Sequence, residues 1–472
     1  MAPRPTIIQG GMGIGISGWR LARKVSAAGQ LGVVSGTGIW VLAARMLQDG
    51  DTDGHLRRAF AAFPNQEIVR EVLERYYQPG GRTGRPYRAA PMLNLKKAQN
   101  SQQATLDPRL ENLMVLASFA EVWLAKAGHD GVVGINLLEK IQLMQMPVLY
   151  GALLAGVDYV LVGAGMPIQI PEVLDLLAAH QPAAYRLHVE GAAPEYAYSV
   201  SFNPTRFGLT HLSLSRASFL AVISTDIVAT ILANRAKGSI EGFVVERPTA
   251  GGHNAPPRGK EVDASGQPVY GDKDRPNLSK IAALGRPFWL AGSTSDQLSE
   301  ARALGAAGVQ VGTIFALSQD SGLDPTLRAR VIAKARAGEL VIRTDGRISP
   351  TGYPFKCAEL EGTITDLEMP LRRQLCDIGA LRTLYRNADG QVGYRCPAEP
   401  LDHFIRKGGR EEDALGRACL CNGLTATMGL GQVRPGGIDE LPLVTLGDDL
   451  GFLTAMPDDY TAEDALAYVA AH

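Results

Sequence analysis

The sequence predicts an α/β fold, a closed (β/α)₈ TIM barrel with two long loop insertions and a C-terminal extension. Three observations predict it. Eight short, apolar, β-branched runs alternate with helical patterns over roughly the first 325 residues. Six of the runs end in Gly or Ser or lead directly into a Gly, and the alternation stops near residue 337. Alternating strands and helices build parallel sheets. Eight such units suffice to close a barrel, whose site then lies at the carboxyl ends of the strands.

The runs are residues 6–10, 31–35, 132–137, 158–162, 219–224, 242–246, 287–291 and 308–312. Small residues at their ends let a ligand approach the backbone. The first helix supports the reading. Ser17 is a candidate N-cap, Leu21, Ala22, Val25 and Ala28 share one face, and Gly29 offers a left-handed stop. An open doubly wound sheet is the competing architecture.

Two interruptions, about 50–121 and 163–218, are long enough to be lids or oligomer contacts. The first carries Arg82, Arg85, Tyr87 and Arg88, expected on the substrate side or against a neighbouring subunit. The domains expected are 1–337, the barrel, and 338–472, an extension packing on it. Its last piece, 461–472, reads as a helix with Thr461 and Asp464 in capping-box positions.

Composition narrows the partners. Hydrophobic residues make up 46% and charged residues 20% of 472, as in globular proteins that bury a large core. A net charge of −1 gives no electrostatic reason to bind nucleic acid or an anionic membrane. The N-terminus lacks a signal-peptide pattern, and no run approaches the ~18 apolar residues of a membrane span. A cytoplasmic protein acting on a small molecule is expected.

Three Gly-rich strand ends carry the chemistry. The last two runs finish as Leu290-Ala291-Gly292-Ser293 and Gln310-Val311-Gly312-Thr313. Side by side in a barrel, each before a helix, their free N–H groups would cradle a phosphate. After the sixth run comes Pro248-Thr249-Ala250-Gly251-Gly252-His253-Asn254. Two glycines let the backbone lie against a planar ligand, and His253 follows at the barrel mouth, where an imidazole can exchange protons near neutral pH. The other seven histidines fall in loops, insertions or tails.

Ile7-Ile8-Gln9-Gly10-Gly11-Met12, Ala250-Gly251-Gly252-His253, Leu290-Ala291-Gly292 and Gly308-Val309-Gln310-Val311-Gly312-Thr313 come in the order found in the nitronate monooxygenases. Over about residues 5–325 the chain resembles that family, also called 2-nitropropane dioxygenases. The family includes FMN-containing enoyl reductases of fatty-acid and polyketide synthesis, and NADH:quinone reductases. The resemblance implies FMN as cofactor. It implies that Gly11 and Met12 pass under the flavin and that Asn136 and Gln310 hydrogen-bond it or its ribityl chain. Gly251, Gly252, Gly292, Ser293, Gly312 and Thr313 would hold the phosphate, and His253 would be the catalytic base or proton donor. Three positions depart from the family pattern: Gly11 where Pro is common, Ser293 for a second Gly, and Asn254 where a basic residue is frequent. Residues 349–356 and 394–400 resemble a longer bacterial branch, close to the enoyl reductase components of polyunsaturated fatty acid and polyketide synthases.

All five cysteines, Cys357, Cys376, Cys396, Cys419 and Cys421, lie in the extension without a C-x-x-C pair. Buried thiols and no metal are expected. The leading function is oxidation of a nitronate or nitroalkane to a carbonyl compound and nitrite with O₂. The alternative is an NAD(P)H-dependent flavin reductase of enoyl thioesters or quinones, and the third reading a non-catalytic barrel subunit of a synthase. NAD(P)H is left open as co-substrate, and a homodimer as the assembly.

Overall fold

A computed structural model describes residues 4–96, 103–193, 196–292, 294–366, 375–434 and 438–472. Its centre is a sheet of eight parallel strands: β1 (Ile7–Gln9), β2 (Gly32–Ser35), β3 (Val133–Leu138), β4 (Tyr159–Gly163), β5 (Ser218–Ile223), β6 (Gly242–Glu246), β7 (Phe288–Ala291) and β8 (Gly308–Val311). They pair in chain order, and β8 returns to β1 through Ile7↔Val309 and its neighbours. The ring closes between β1 and β2, where Gln9 N–H donates to Leu31 O (3.0 Å) and Leu31 N–H to Ile7 O (3.1 Å). The chain is therefore a (β/α)₈ barrel, and each strand lies where the apolar runs place it.

Ile8, Leu31, Val33, Leu161, Leu220, Val244 and Trp289 fill the barrel interior, each buried. The Trp289 indole N–H donates to Pro5 O (2.9 Å), so this large side chain is hydrogen-bonded as well as packed.

The helix Trp19–Ala27 starts one residue later than a Ser17 cap would require. Gly18 is its N-cap residue, and the Trp19 N–H donates to the Glu121 carboxylate (2.9 Å). Ser17 instead fixes the preceding loop. Its hydroxyl donates to Gly10 O (2.8 Å) and accepts from Met12 N–H (2.9 Å) and the Gln9 amide (2.8 Å). Leu21, Ala22 and Val25 are buried while Ala28 is exposed, and Gly29 has the left-handed φ of +78°.

Beginning inside the stretch 50–121 and running past it, the helix Pro108–Lys126 packs along the barrel and is buried over most of its length. Gln103–Ala104 joins Ala183–Arg186 and Ser199–Phe202 of the second interruption in one three-stranded sheet. Arg82 and Tyr87 both bind the Asp49 carboxylate (2.9 and 2.5 Å), and Arg88 N–H donates to Gln48 (2.6 Å). None of Arg82, Arg85, Tyr87 and Arg88 lines the barrel-mouth cavity; Arg82, Tyr87 and the Arg88 N–H tie the insertion to Asp49 and Gln48.

The chain beyond residue 337 returns to the barrel mouth. Phe355–Ala358 pairs antiparallel with Ile342–Asp345 on one side and with Gly252–His253 on the other. The last helix, Ala462–Ala471, carries the reciprocal Thr461–Asp464 cap and packs against Trp19–Ala27, with Lys24 paired to Glu463 (2.8 Å). No helix among the described residues is long and apolar enough to cross a membrane.

Candidate active site

All eight strands end around one cavity of about 1010 Å³. That volume is at the upper end for pockets holding one drug-sized ligand, ~300–1,000 Å³. Gly11, Met12, Asn136, Gly251, Gly252, His253, Gly292, Gln310, Gly312 and Thr313 all line it. Ser293 lies outside the described residues.

Two glycines show why the wall needs no side chain there. A Cβ on Gly11 would stand 2.3 Å from the Asn136 Cβ, so the loop after β1 comes this close to β3 only because the position is bare. Gly292 has a φ of +72°, and a Cβ would meet Ala250 N and Thr249 Oγ1 at 2.9 Å. The Thr249 hydroxyl donates to Gly292 O, tying the loops after β6 and β7 together.

The phosphate cradle differs from expectation at β7. Gly312 is directly the N-cap residue of Thr313–Ala316, but the helix after β7 begins only at Leu298. Between them, Ser295 N–H donates to the Asp449 carboxylate (2.6 Å), and Gly447 N–H donates to the Thr313 hydroxyl (2.9 Å). The extension thus occupies the Ser295 N–H of the turn after β7 and the Thr313 hydroxyl after β8.

Two polar groups in this region lack a partner. The Gln310 Oε1 and Asn254 Oδ1 atoms are buried without a hydrogen-bond partner among the described residues. Buried acceptors are ordinarily satisfied, so such atoms mark a place where a donor is expected.

His253 stands half-buried at the cavity wall. Its Nε2 lies 2.7 Å from Ser349 Oγ and 3.3 Å from Thr351 Oγ1, and its ring stands edge-on to Phe355 at 4.9 Å. Desolvation, helped by the positive charge of Lys140, holds its pKa well below the usual imidazole value. His253 is therefore neutral at pH 7 and has a lone pair to offer.

Sequence reasoning missed the charged groups behind it. Burial pushes the Glu246 carboxyl up to about 7, against the pull of Lys140. Burial also brings the Lys140 ammonium down to about 7, against Glu139 and Glu246. Lys140 Nζ has no hydrogen-bond partner among the described residues, and it sits 3.6 Å from the Tyr353 ring centroid. Glu246 closes a predicted strand at the catalytic face, and that position was a usable signal. Lys140 follows a strand within a polar loop and gave none. The extension residues Phe355, Lys356, Gly447, Asp448 and Asp449 also line the cavity, contacts no local pattern could reveal.

Among the described residues no group of three or more His, Cys, Asp or Glu side chains is arranged to hold a metal ion. Burial pushes the Cys357 thiol up to about 12 and Cys376 to about 11.

No protein-family model and no curated protein matches this chain. Among solved structures, it is similar to the nitroalkane oxidase from Streptomyces ansochromogenes, at 15% identity over 99% of this chain and 95% of that one, with a TM-score of 0.42. It is similar to FabK from Thermotoga maritima at 16% identity over 87% and 93%, TM-score 0.38. It is also similar to the enoyl reductase domain of MlnA from Bacillus amyloliquefaciens, at 10% identity over 76% and 64%, TM-score 0.37. Values this low do not carry a function from one chain to another.

Proposed function

We propose that the chain is an FMN-dependent oxidoreductase that oxidises nitronates or nitroalkanes to a carbonyl compound and nitrite with O₂. The observation that supports it best is a neutral, half-buried His253 on a cavity whose wall also presents the unpartnered Gln310 acceptor.

The residues present fit the cofactor. Gln310 Oε1 requires a donor, which the N–H of a flavin ring or a ribityl hydroxyl provides. Asn136, the bare backbone of Gly11 and the neighbouring Met12 would flank the ring, while Gly251, Gly252, Gly292, Gly312 and Thr313 would hold the phosphate. When bound, FMN supplies the electron acceptor, which oxygen returns to its starting state.

The protein's own contribution is proton chemistry. His253 takes the proton from the acidic carbon of a nitroalkane, leaving the nitronate and an imidazolium that must then give the proton up, which its lowered basicity favours. Phe355 of the extension packs its ring edge-on against the histidine and covers that side of it.

A second reading, reduction of an enoyl thioester or quinone with NAD(P)H, draws on the size of the cavity. Beyond the strand ends it continues between Gln267, Tyr270 and Arg275, with room for a molecule longer than a nitroalkane. Anaerobic addition decides between them. Bleaching of the yellow protein by a nitronate and not by NADH or NADPH supports the monooxygenase; rapid bleaching by NADH or NADPH supports the reductase and overturns the first reading.

A further inference from the structure

His253 is held from one side by the extension. Its backbone pairs with Phe355, and Asn254 N–H donates to Pro354 O (2.9 Å). Its Nε2 faces two oxygens, Ser349 Oγ at 2.7 Å and Thr351 Oγ1 at 3.3 Å, which are themselves 2.8 Å apart. Ser349 is fully buried, and its carbonyl accepts from Arg417 (2.7 Å). No described residue hydrogen-bonds Nδ1.

We propose that Ser349, with Thr351 behind it, is the positioning residue of His253: it holds Nε2–H so that Nδ1 is presented to the cavity as the base. The inference rests on the reading of His253 as proton carrier. Two oxygens at unequal distance suit one shared N–H. Ser349 Oγ then accepts from Nε2–H and from Thr351 N–H (3.3 Å) and donates to Thr351 Oγ1, using its full capacity of two acceptor sites and one donor. An imidazole ring bonded through one nitrogen to a buried partner cannot turn, and the proton it gains in the reaction goes to the other nitrogen.

The partner is a hydroxyl and not a carboxylate, which has a consequence. A hydroxyl fixes the tautomer without a negative charge to stabilise the imidazolium, so the ring returns its proton readily. The serine lies 96 positions beyond the histidine, so the barrel's working side chain is completed by the extension.

The test is ¹⁵N-histidine NMR of the full-length, FMN-loaded protein above pH 7, with His253→Gln used to assign the signal, alongside steady-state kinetics of Ser349→Ala and Thr351→Val. The expected result is a neutral His253 protonated on Nε2, a preference lost in Ser349→Ala. That variant's kcat should fall about 10- to 100-fold, the range for groups that orient a working histidine, with KM and flavin content held. Thr351→Val should lose less. A wild-type His253 protonated on Nδ1 overturns the proposal, and this readout needs no variant of Ser349 to fold. So does a Ser349→Ala enzyme with unchanged kcat and tautomer while His253→Ala is inactive. Full turnover by His253→Ala would instead overturn the proton-carrier reading itself.

Discussion

His253 and Phe355 lie opposite each other in a short antiparallel ladder, their rings edge-on at 4.9 Å. One belongs to the loop after β6 and the other to the segment beyond the barrel. The cavity wall is therefore assembled from both, and its chemistry depends on a contact between parts of the chain about a hundred residues apart.

His253→Ala should keep its fold and its flavin, because other loops face the phosphate. Its turnover on a nitroalkane should fall by about 10²- to 10⁴-fold, the usual share of a positioned acid or base. A nitronate offered already ionised should suffer less. Steady-state assays on both substrates with matched flavin content check this.

Gln310→Leu removes the unpartnered acceptor that a flavin donor would satisfy. A bound donor left unsatisfied costs about 1–3 kcal/mol, so FMN affinity should drop about 5- to 150-fold with stability little changed. Fluorescence titration of the stripped protein measures it. Equal affinity would remove Gln310 from the cofactor wall.

Stability should respond to pH through Glu121. Burial pushes this carboxyl up to about 7, above its unfolded value, while it accepts the Trp19 N–H. The folded state then holds a proton that the unfolded chain releases from about 4.5 upward. Its stabilising contribution is complete below that value and is lost as pH rises toward 7. Glu121→Gln keeps an acceptor and cannot ionise. Between pH 5 and 8 it should gain about 1–3 kcal/mol on the wild type, read by denaturant unfolding at each pH.

The cysteine segment should carry no stoichiometric metal. Its five cysteines include no C-x-x-C pair, the close spacing that zinc and iron–sulfur sites ordinarily use. Elemental analysis of the purified chain should find well under one zinc or iron per molecule. One equivalent, or iron with acid-labile sulfide, would contradict this.

The barrel was legible because its signals are local. Each strand such as Gly242–Glu246 is a short apolar run closed by a small or polar residue, and helices such as Ala462–Ala471 announce their caps within three residues. His253 could be singled out because Gly251 and Gly252 precede it at a strand end. What sequence could not show is long-range. Ser17 looks like a cap by spacing, yet Glu121, 102 positions away, bonds the helix's first N–H and leaves Ser17 to fix the loop. The same holds for Ser349 at His253 and Asp449 at Ser295, since no periodicity encodes which distant segment folds over a barrel mouth.

Whether this cavity binds FMN for redox chemistry is measured most directly by a flavin titration of the stripped protein after its fold has been verified. The expected result is quenching of FMN fluorescence that saturates at one equivalent per chain, with the yellow complex bleached anaerobically by a nitronate. A folded protein that leaves FMN fluorescence unchanged at every concentration would contradict it.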